Sequence, residues 1–257
     1  MILHFRKYQA TGNDFVLVDN RDNSINLSID QVTQICDRRF GVGADGLMLI
    51  EKHPTLDFNL VYYNADGTKS LCGNGSRAAV DMASSLGMID GKAKFNAYDG
   101  PHEAEILSNK IIKFRLSDVT VDRDNDFINT GSPHVIRFVS DLAGFPVFDE
   151  GRKIRYSEKF KPAGTNANFV ELLADNRIYV RTYERGVENE TLSCGTGVTA
   201  AALAAYFKGY KSPIAVKTQG GELSVQFTPK PSGHTVTFQD IFLIGPAKMV
   251  FEGDLEL

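Results

Sequence analysis

Two cysteines stand in matching surroundings, Leu71-Cys72-Gly73-Asn74-Gly75-Ser76-Arg77 and Ser193-Cys194-Gly195-Thr196-Gly197. Each is followed by a Gly-x-Gly, which lets the backbone approach a ligand closely, and then by about a dozen strong helix formers. The thiol therefore sits at the mouth of a helix, beside first-turn amides that have no partner within the helix. Such a terminus favours an anion: it lowers a thiol pKa and holds a carboxylate. Two thiols acting on one carbon from opposite sides can remove a proton and return it inverted, which is racemisation or epimerisation. A carbon acid flanked by ammonium and carboxylate is very weak, so the reaction needs a base and stabilisation of the charge that develops. Helix N-termini supply the second requirement without a metal or pyridoxal. A lone cysteine reads first as a small buried hydrophobe; repetition of the whole motif favours chemistry.

The elements that must carry these motifs repeat as well. Thr11-Gly12 corresponds to Thr130-Gly131, Cys72 to Cys194 and Asp99-Gly100 to Gly220-Gly221, each displaced by about 120 residues, close to half the chain. A strand ending in tyrosine precedes each cysteine. Alternation predicts strands over Met1–Tyr8, Phe15–Asp19, Phe58–Tyr63 and much of Lys94–Leu116, with a break at Asp99-Gly100-Pro101. Ser28 caps a predicted helix that places Ile29, Val32, Ile35 and Cys36 on one face, so Cys36 reads as core. The helix after Cys72 ends near Gly87, a C-cap residue. The helix after Cys194 has almost no polar face and is expected to be buried all round. The fold class is α+β: two pseudo-symmetric domains, 1–117 and 118–257, each a curved, mostly antiparallel sheet or barrel wrapped around a central helix, with the last strand free to return to the first half.

The 257 residues, 42% hydrophobic, are enough for two folded domains with real cores, and a net charge of −4 with interspersed signs gives no footprint for nucleic acid or an anionic membrane. The expected partner is a small molecule. No apolar run approaches the roughly 20 residues of a membrane span. Three cysteines do not make a disulfide framework, and with no secretory signal the chain is expected to be cytoplasmic. Gly41-Val42-Gly43-Ala44-Asp45-Gly46 matches the dinucleotide pattern but follows a helix and precedes a strand, the inverse of the required context, so it reads as a turn that can line a pocket. His4, His53, His102 and His234 show no ligand spacing, and no metal is expected.

Thr-Gly-Asn13-Asp-Phe, Gly-Val-Gly-Ala-Asp-Gly, Asn64-Ala-Asp-Gly, Cys-Gly-Asn-Gly-Ser-Arg, Ser-Pro-His, Asn166, Tyr-Glu-Arg-Gly and Cys-Gly-Thr-Gly occur in one order over nearly the whole chain. In this the chain resembles the diaminopimelate epimerases. The resemblance implies a two-base isomerase, without cofactor, that interconverts LL- and meso-diaminopimelate in lysine and peptidoglycan precursor synthesis. It makes Cys72 the proton donor and Cys194 the acceptor for the LL substrate, with His134 and Glu184 tuning the two thiols, one near each. It implies that the amides around Gly73, Asn74, Gly195 and Thr196 hold the carboxylate at the reacting centre, while Asn13, Asn64, Asn166, Glu184 and Arg185 bind the remaining polar groups. Arg185 suits a carboxylate by its planar fork. The chain departs from many members at Gly46, where they have glutamine, and at Ser132, where they have asparagine. The alternatives are another cofactor-independent racemase or isomerase on the same scaffold, such as one for proline or hydroxyproline, and a non-catalytic amino-acid-binding protein. A homodimer is left open.

Overall fold

A computed structural model of the chain describes residues 2–257. Met1 lies outside the described residues, so the strand expected over Met1–Tyr8 is seen from Ile2. The chain divides into two units, Met1–Phe114 with Gly245–Leu257, and Arg115–Ile244. The C-terminal segment thus belongs with the first unit; the sequence division into 1–117 and 118–257 left the last strand free to return there.

In chain order the first stretch contains β1 (Ile2–Ala10), β2 (Asn13–Asp19), α1 (Ile29–Cys36), β3 (Gly46–Glu51), β4 (Phe58–Asn64), α2 (Gly73–Ser85), β5 (Lys92–Ala97), β6 (Gly100–Ile106) and β7 (Ile111–Arg115). The second unit contains β8 (Val119–Asp122), β9 (Phe127–Asn129), β10 (Pro133–Phe138), α3 (Val147–Arg155), β11 (Asn166–Leu173), β12 (Arg177–Glu184), β13 (Asn189–Thr191), α4 (Gly195–Tyr206), β14 (Ile214–Thr218), β15 (Gly221–Ser232) and most of β16 (Thr235–Pro246). The last strand, β17 (Lys248–Glu256), pairs antiparallel with β1 from Ile2–Glu256 to Gln9–Lys248, which is why the C-terminal segment joins the first unit.

The repeat read from the sequence is a repeat of topology. In the first unit β1/β2 is antiparallel, β2/β3 parallel, β3/β4 antiparallel, β4/β5 parallel and β5/β6 antiparallel. In the second, β9/β10, β10/β11, β11/β12, β12/β14 and β14/β15 follow the same alternation. Each sheet is therefore mixed, with parallel ladders between the antiparallel ones. Within its own unit α2 packs on β1, β2, β3, β4 and β6, and α4 on β10, β11, β12, β14 and β15, so each sheet wraps one helix.

The local reasons are visible in the side chains. Ser28 and Gln31 form a reciprocal cap at the start of α1: the Gln31 amide donates to Ser28 Oγ at 3.2 Å and the Ser28 amide to Gln31 Oε1 at 2.9 Å. Val32, Ile35 and Cys36 are buried against Leu3, Phe5, Val16, Val18, Leu47 and Leu49. Ile29, expected on that face, is exposed, because the first helical residue lies over Gly67 instead of the core. β2 is buried continuously from Phe15 to Val18, as a strand with helices on both faces must be. In α4 every residue from Gly197 to Ala205 is buried, and Gly87 ends α2 with a positive φ of 71°.

Candidate active site

In the first unit Cys72 is the N-cap of α2, and its Sγ accepts from the Gly75 amide at 3.4 Å. Asn13, the first residue of β2, places its Oδ1 3.6 Å from that sulfur and accepts from Asn74 Nδ2 at 3.3 Å. The orientation of the Asn13 carboxamide is fixed at its other end, where Nδ2 donates to Asp45 at 2.5 Å. Asp45 is held in turn by Arg38 at 2.7 Å, which also takes Asp14 at 2.7 Å, and Lys7 reaches Asp14 at 2.7 Å. Burial would raise the Asp14 carboxyl, but the hydrogen bonds and charges of Arg38 and Lys7 outweigh it and hold the group down at about 2. The glycine-rich segment 41–46 is the turn that carries Asp45; Gly43 has a positive φ of 76° and its carbonyl receives Lys7 Nζ. Asn64 is occupied differently. Its Nδ2 donates to Thr68 Oγ1 at 2.9 Å and its Oδ1 accepts from Ser70 at 3.3 Å, closing the turn that leads to Cys72.

In the second unit Cys194 is the N-cap of α4, 7% exposed, with Sγ 3.6 Å from Thr196 Oγ1. Thr196 Oγ1 lies 2.9 Å from His134 Nε2 and 3.0 Å from Ser132 Oγ, and Ser132 Oγ lies 2.9 Å from the same Nε2. His134 is fully buried; burial first, and the Arg185 charge second, push it down to about 3, so the ring is neutral. Asn168 settles the tautomer. Its Oδ1 accepts from Thr182 Oγ1 at 2.9 Å, so its Nδ2 faces the Val135 carbonyl at 3.2 Å and His134 Nδ1 at 3.1 Å. Nδ1 is then the acceptor and Nε2 carries the hydrogen. With Nε2–H donating to the two hydroxyls, the Thr196 hydroxyl hydrogen is free to point at Cys194 Sγ.

Asn166, on the same face of β11 as Asn168, accepts the Arg185 amide on Oδ1 at 2.8 Å and donates to the Pro133 carbonyl at 2.8 Å. Arg185 Nη1 donates to the Ala163 carbonyl at 3.3 Å. Glu184, the last residue of β12, accepts Thr191 Oγ1 at 3.0 Å. His134 and Glu184 both lie in the unit of Cys194. Gly73 and Asn74 open α2, and Gly195 and Thr196 open α4, with their first-turn amides beside the respective thiols.

Two glycine readings need revision. The second glycine of each cysteine motif is a packing position: a Cβ on Gly75 would meet Met48 Cε, and one on Gly197 would meet Asn168 Oδ1 and, at 3.3 Å, His134 Cε1. These glycines bring the helix start onto the sheet and leave ligand contact to the amides. Gly46 is likewise a packing solution, since a Cβ there would lie 2.6 Å from both the Tyr62 hydroxyl and the Tyr63 carbonyl. The Tyr62 ring fills the space a longer side chain would need.

Sequence reasoning gave no individual site role to Asp45, Thr130, Asn168, Thr182 or Arg77. A usable signal existed for Asn168: Asn166 and Asn168 alternate with Ala167 and Phe169 at the start of a strand, so both face the same way. Thr130 Oγ1 donates to the Thr196 carbonyl at 2.8 Å, a bond between two loops that no local pattern announces. Among the described residues Asp122, Asp124 and His234 bring ligand atoms within 4.8 Å of one another, all exposed; the ring pairs with both carboxylates, at 3.2 and 3.0 Å.

The chain matches the family profile described as Diaminopimelate epimerase over residues 5–120 and 127–250. It is 47% identical to the diaminopimelate epimerase of Flavobacterium psychrophilum over 96% of this chain and 97% of that one, and 40% identical to that of Aquifex aeolicus over 98% of each. Among solved structures, the fold is shared with a phenazine biosynthesis protein of the PhzF family from Bacillus anthracis (TM-score 0.74, 16% identity, 100% of both chains). It is also shared with a hydroxyproline epimerase from Agrobacterium vitis (TM-score 0.69, 12% identity, 100% of this chain and 93% of that one). With two N-cap thiols in matched halves of one repeat and full-length similarity at these identities, the chain belongs to the diaminopimelate epimerase family.

Proposed function

We propose that this chain interconverts LL- and meso-2,6-diaminopimelate by a two-base thiol mechanism that uses no cofactor. The observation that carries the reading is the opposite polarity of the two thiol environments. Cys72 faces a carbonyl acceptor, Asn13 Oδ1, and so is kept as a thiol, the acid. Cys194 faces the Thr196 hydroxyl, backed by the Nε2–H of a neutral His134, and so is prepared as a thiolate, the base. Cys194 takes the α-proton of the LL substrate and Cys72 delivers its own to the other face; the reverse reaction exchanges the roles. The amides that open α2 and α4 stabilise the carboxylate as charge moves onto it. Asn13, Asn64, Asn166, Glu184 and Arg185 bind the rest of the substrate, Arg185 as a fork for the distant carboxylate.

The substrate is a small molecule, and among the described residues no helix is long and apolar enough to cross a membrane. We place the enzyme in the cytoplasm, a compartment that keeps its three cysteines reduced. We assign it a homodimer, for which the exposed run Met249-Val250-Phe251 on β17 offers apolar surface; light scattering tests this. The test of function is incubation of the pure protein with LL-diaminopimelate in heavy water. Deuterium at one α-carbon, with meso product, is expected, and loss of meso product in Cys72→Ala and Cys194→Ala. Turnover by either variant at near wild-type rate ends the two-base reading.

A further inference from the structure

Arg77 is fully buried, five residues beyond the N-cap Cys72, and its guanidinium has no carboxylate partner among the described residues. Nη1 donates to the Gly73 carbonyl at 3.4 Å and Nη2 to Thr11 Oγ1 at 3.5 Å, both long, and Nε meets no acceptor. A charge taken out of water into such a setting costs several kcal/mol unless something of opposite sign compensates it. The carboxylate that helical spacing would offer, Asp81 four residues on, is bonded to the Tyr8 hydroxyl. Lys7, Asp14, Arg38 and Asp45 are closed into their own network.

What surrounds the guanidinium also surrounds the thiol. Gly73 directly follows Cys72, and Thr11 opens the turn into Asn13, whose Oδ1 is 3.6 Å from Sγ. The chargeable group with which the guanidinium interacts is Cys72: burial pushes Arg77 down to about 10 while Cys72 pushes it up, and at neutral pH it remains a cation. Asn13 Oδ1 suits Cys72 as a thiol. The Gly75 amide suits the thiolate, as a neutral donor that carries no full charge.

Resting on the two-thiol reading above, we propose that Arg77 is a positioning residue for the reaction, a buried counter-charge that stabilises Cys72 as thiolate after it has given up its proton. The buried cation is uncompensated while Cys72 is a thiol and compensated once it ionises, so part of the cost of proton donation is met in advance by the fold. It acts through the sulfur and has no contact with substrate to make.

The experiment reads the thiol itself. Iodoacetamide alkylation of Cys72, Cys194 and Cys36 is followed by peptide mapping as a function of pH in wild type, Arg77→Gln and Arg77→Lys. Arg77→Gln keeps donors for the Gly73 carbonyl and Thr11 but removes the charge. It should raise the Cys72 midpoint by a pH unit or more, slow its alkylation about tenfold at neutral pH, leave Cys194 in place and lower kcat with little change in KM. Arg77→Lys should restore most of the midpoint. Identical Cys72 midpoints in wild type and folded Arg77→Gln would overturn the proposal. If Arg77→Gln does not fold, Arg77→Met, which removes the charge and keeps an apolar side chain of similar length, decides by the same reading: a Cys72 midpoint raised by a pH unit or more supports the proposal, and one unchanged from wild type overturns it. Because alkylation needs no substrate, failure here is separate from failure of the heavy-water test.

Discussion

The Thr196 hydroxyl lies 2.9 Å from His134 Nε2 and 3.6 Å from Cys194 Sγ, so a neutral imidazole reaches the thiol through one intervening hydroxyl. A histidine in direct contact with the sulfur would compete with it for the proton. One that is held neutral and aimed by Asn168 can only donate, and the donation ends at the sulfur.

Removal of that hydroxyl should be felt in kcat. Thr196→Val keeps the shape of the side chain and takes away the donor, and roughly a hundredfold loss in the rate of LL-to-meso conversion is expected, with the melting temperature little changed. Thr196→Ser should stay within a few-fold of wild type. Equal activity of the valine and serine variants would show that the relay is idle.

His134 predicts how stability depends on pH. Its folded pKa is lowered, to about 3, against about 6.5 unfolded, so between those values the unfolded chain binds more protons. The contribution of the neutral buried ring is complete above pH 6.5 and is lost as pH falls, by up to about 1.4 kcal/mol per pH unit. Urea unfolding at pH 7 and pH 5 should show a smaller loss in His134→Asn than in wild type. No step in activity near pH 6.5 should trace to His134.

Gly46 should tolerate no side chain. Gly46→Ala places a Cβ against the Tyr62 ring and 2.6 Å from the Tyr63 carbonyl, and the backbone partner cannot swing away. About 1–3 kcal/mol of destabilisation is expected by denaturant titration. Tyr62→Ala in the same chain should recover only the part due to the ring.

Arg185, assigned above to the distant carboxylate, gives a test of specificity. Arg185→Lys keeps the charge and loses the planar fork, so KM for diaminopimelate should rise about tenfold or more while kcat changes less. Racemisation of lysine or ornithine by the wild-type protein would contradict the assignment.

The repeat, the two helix-mouth thiols and the buried second helix were legible in the sequence because each rests on local spacing: Gly-x-Gly after cysteine, turns at fixed offsets and an all-apolar helical run. The mixed strand order was not, since parallel ladders such as β2/β3 and β10/β11 are set by where a crossover lands and not by the pattern within a strand. Asn168 and Arg77 escaped for a related reason. Their roles come from neighbours distant in sequence, Thr182 and Val135 for one, Thr11 for the other. The packing role of the second glycines, Gly75 and Gly197, was not legible, because a pattern of small residues does not say which side chain will occupy the space they leave.

The pairing of β1 with β17 gives the protein an order of assembly. On a ribosome the segment Arg115–Ile244 emerges whole and can close on itself, whereas β1 waits for a partner made after that entire segment. Until β17 arrives, the outer edge of β1 is open and can pair with any extended strand nearby. The half that carries Cys72 is therefore the late and vulnerable half of the nascent chain. Chaperone contact during synthesis should concentrate on Ile2–Ala10, and a chain released before β17 should aggregate through that strand while the unit around Cys194 remains folded.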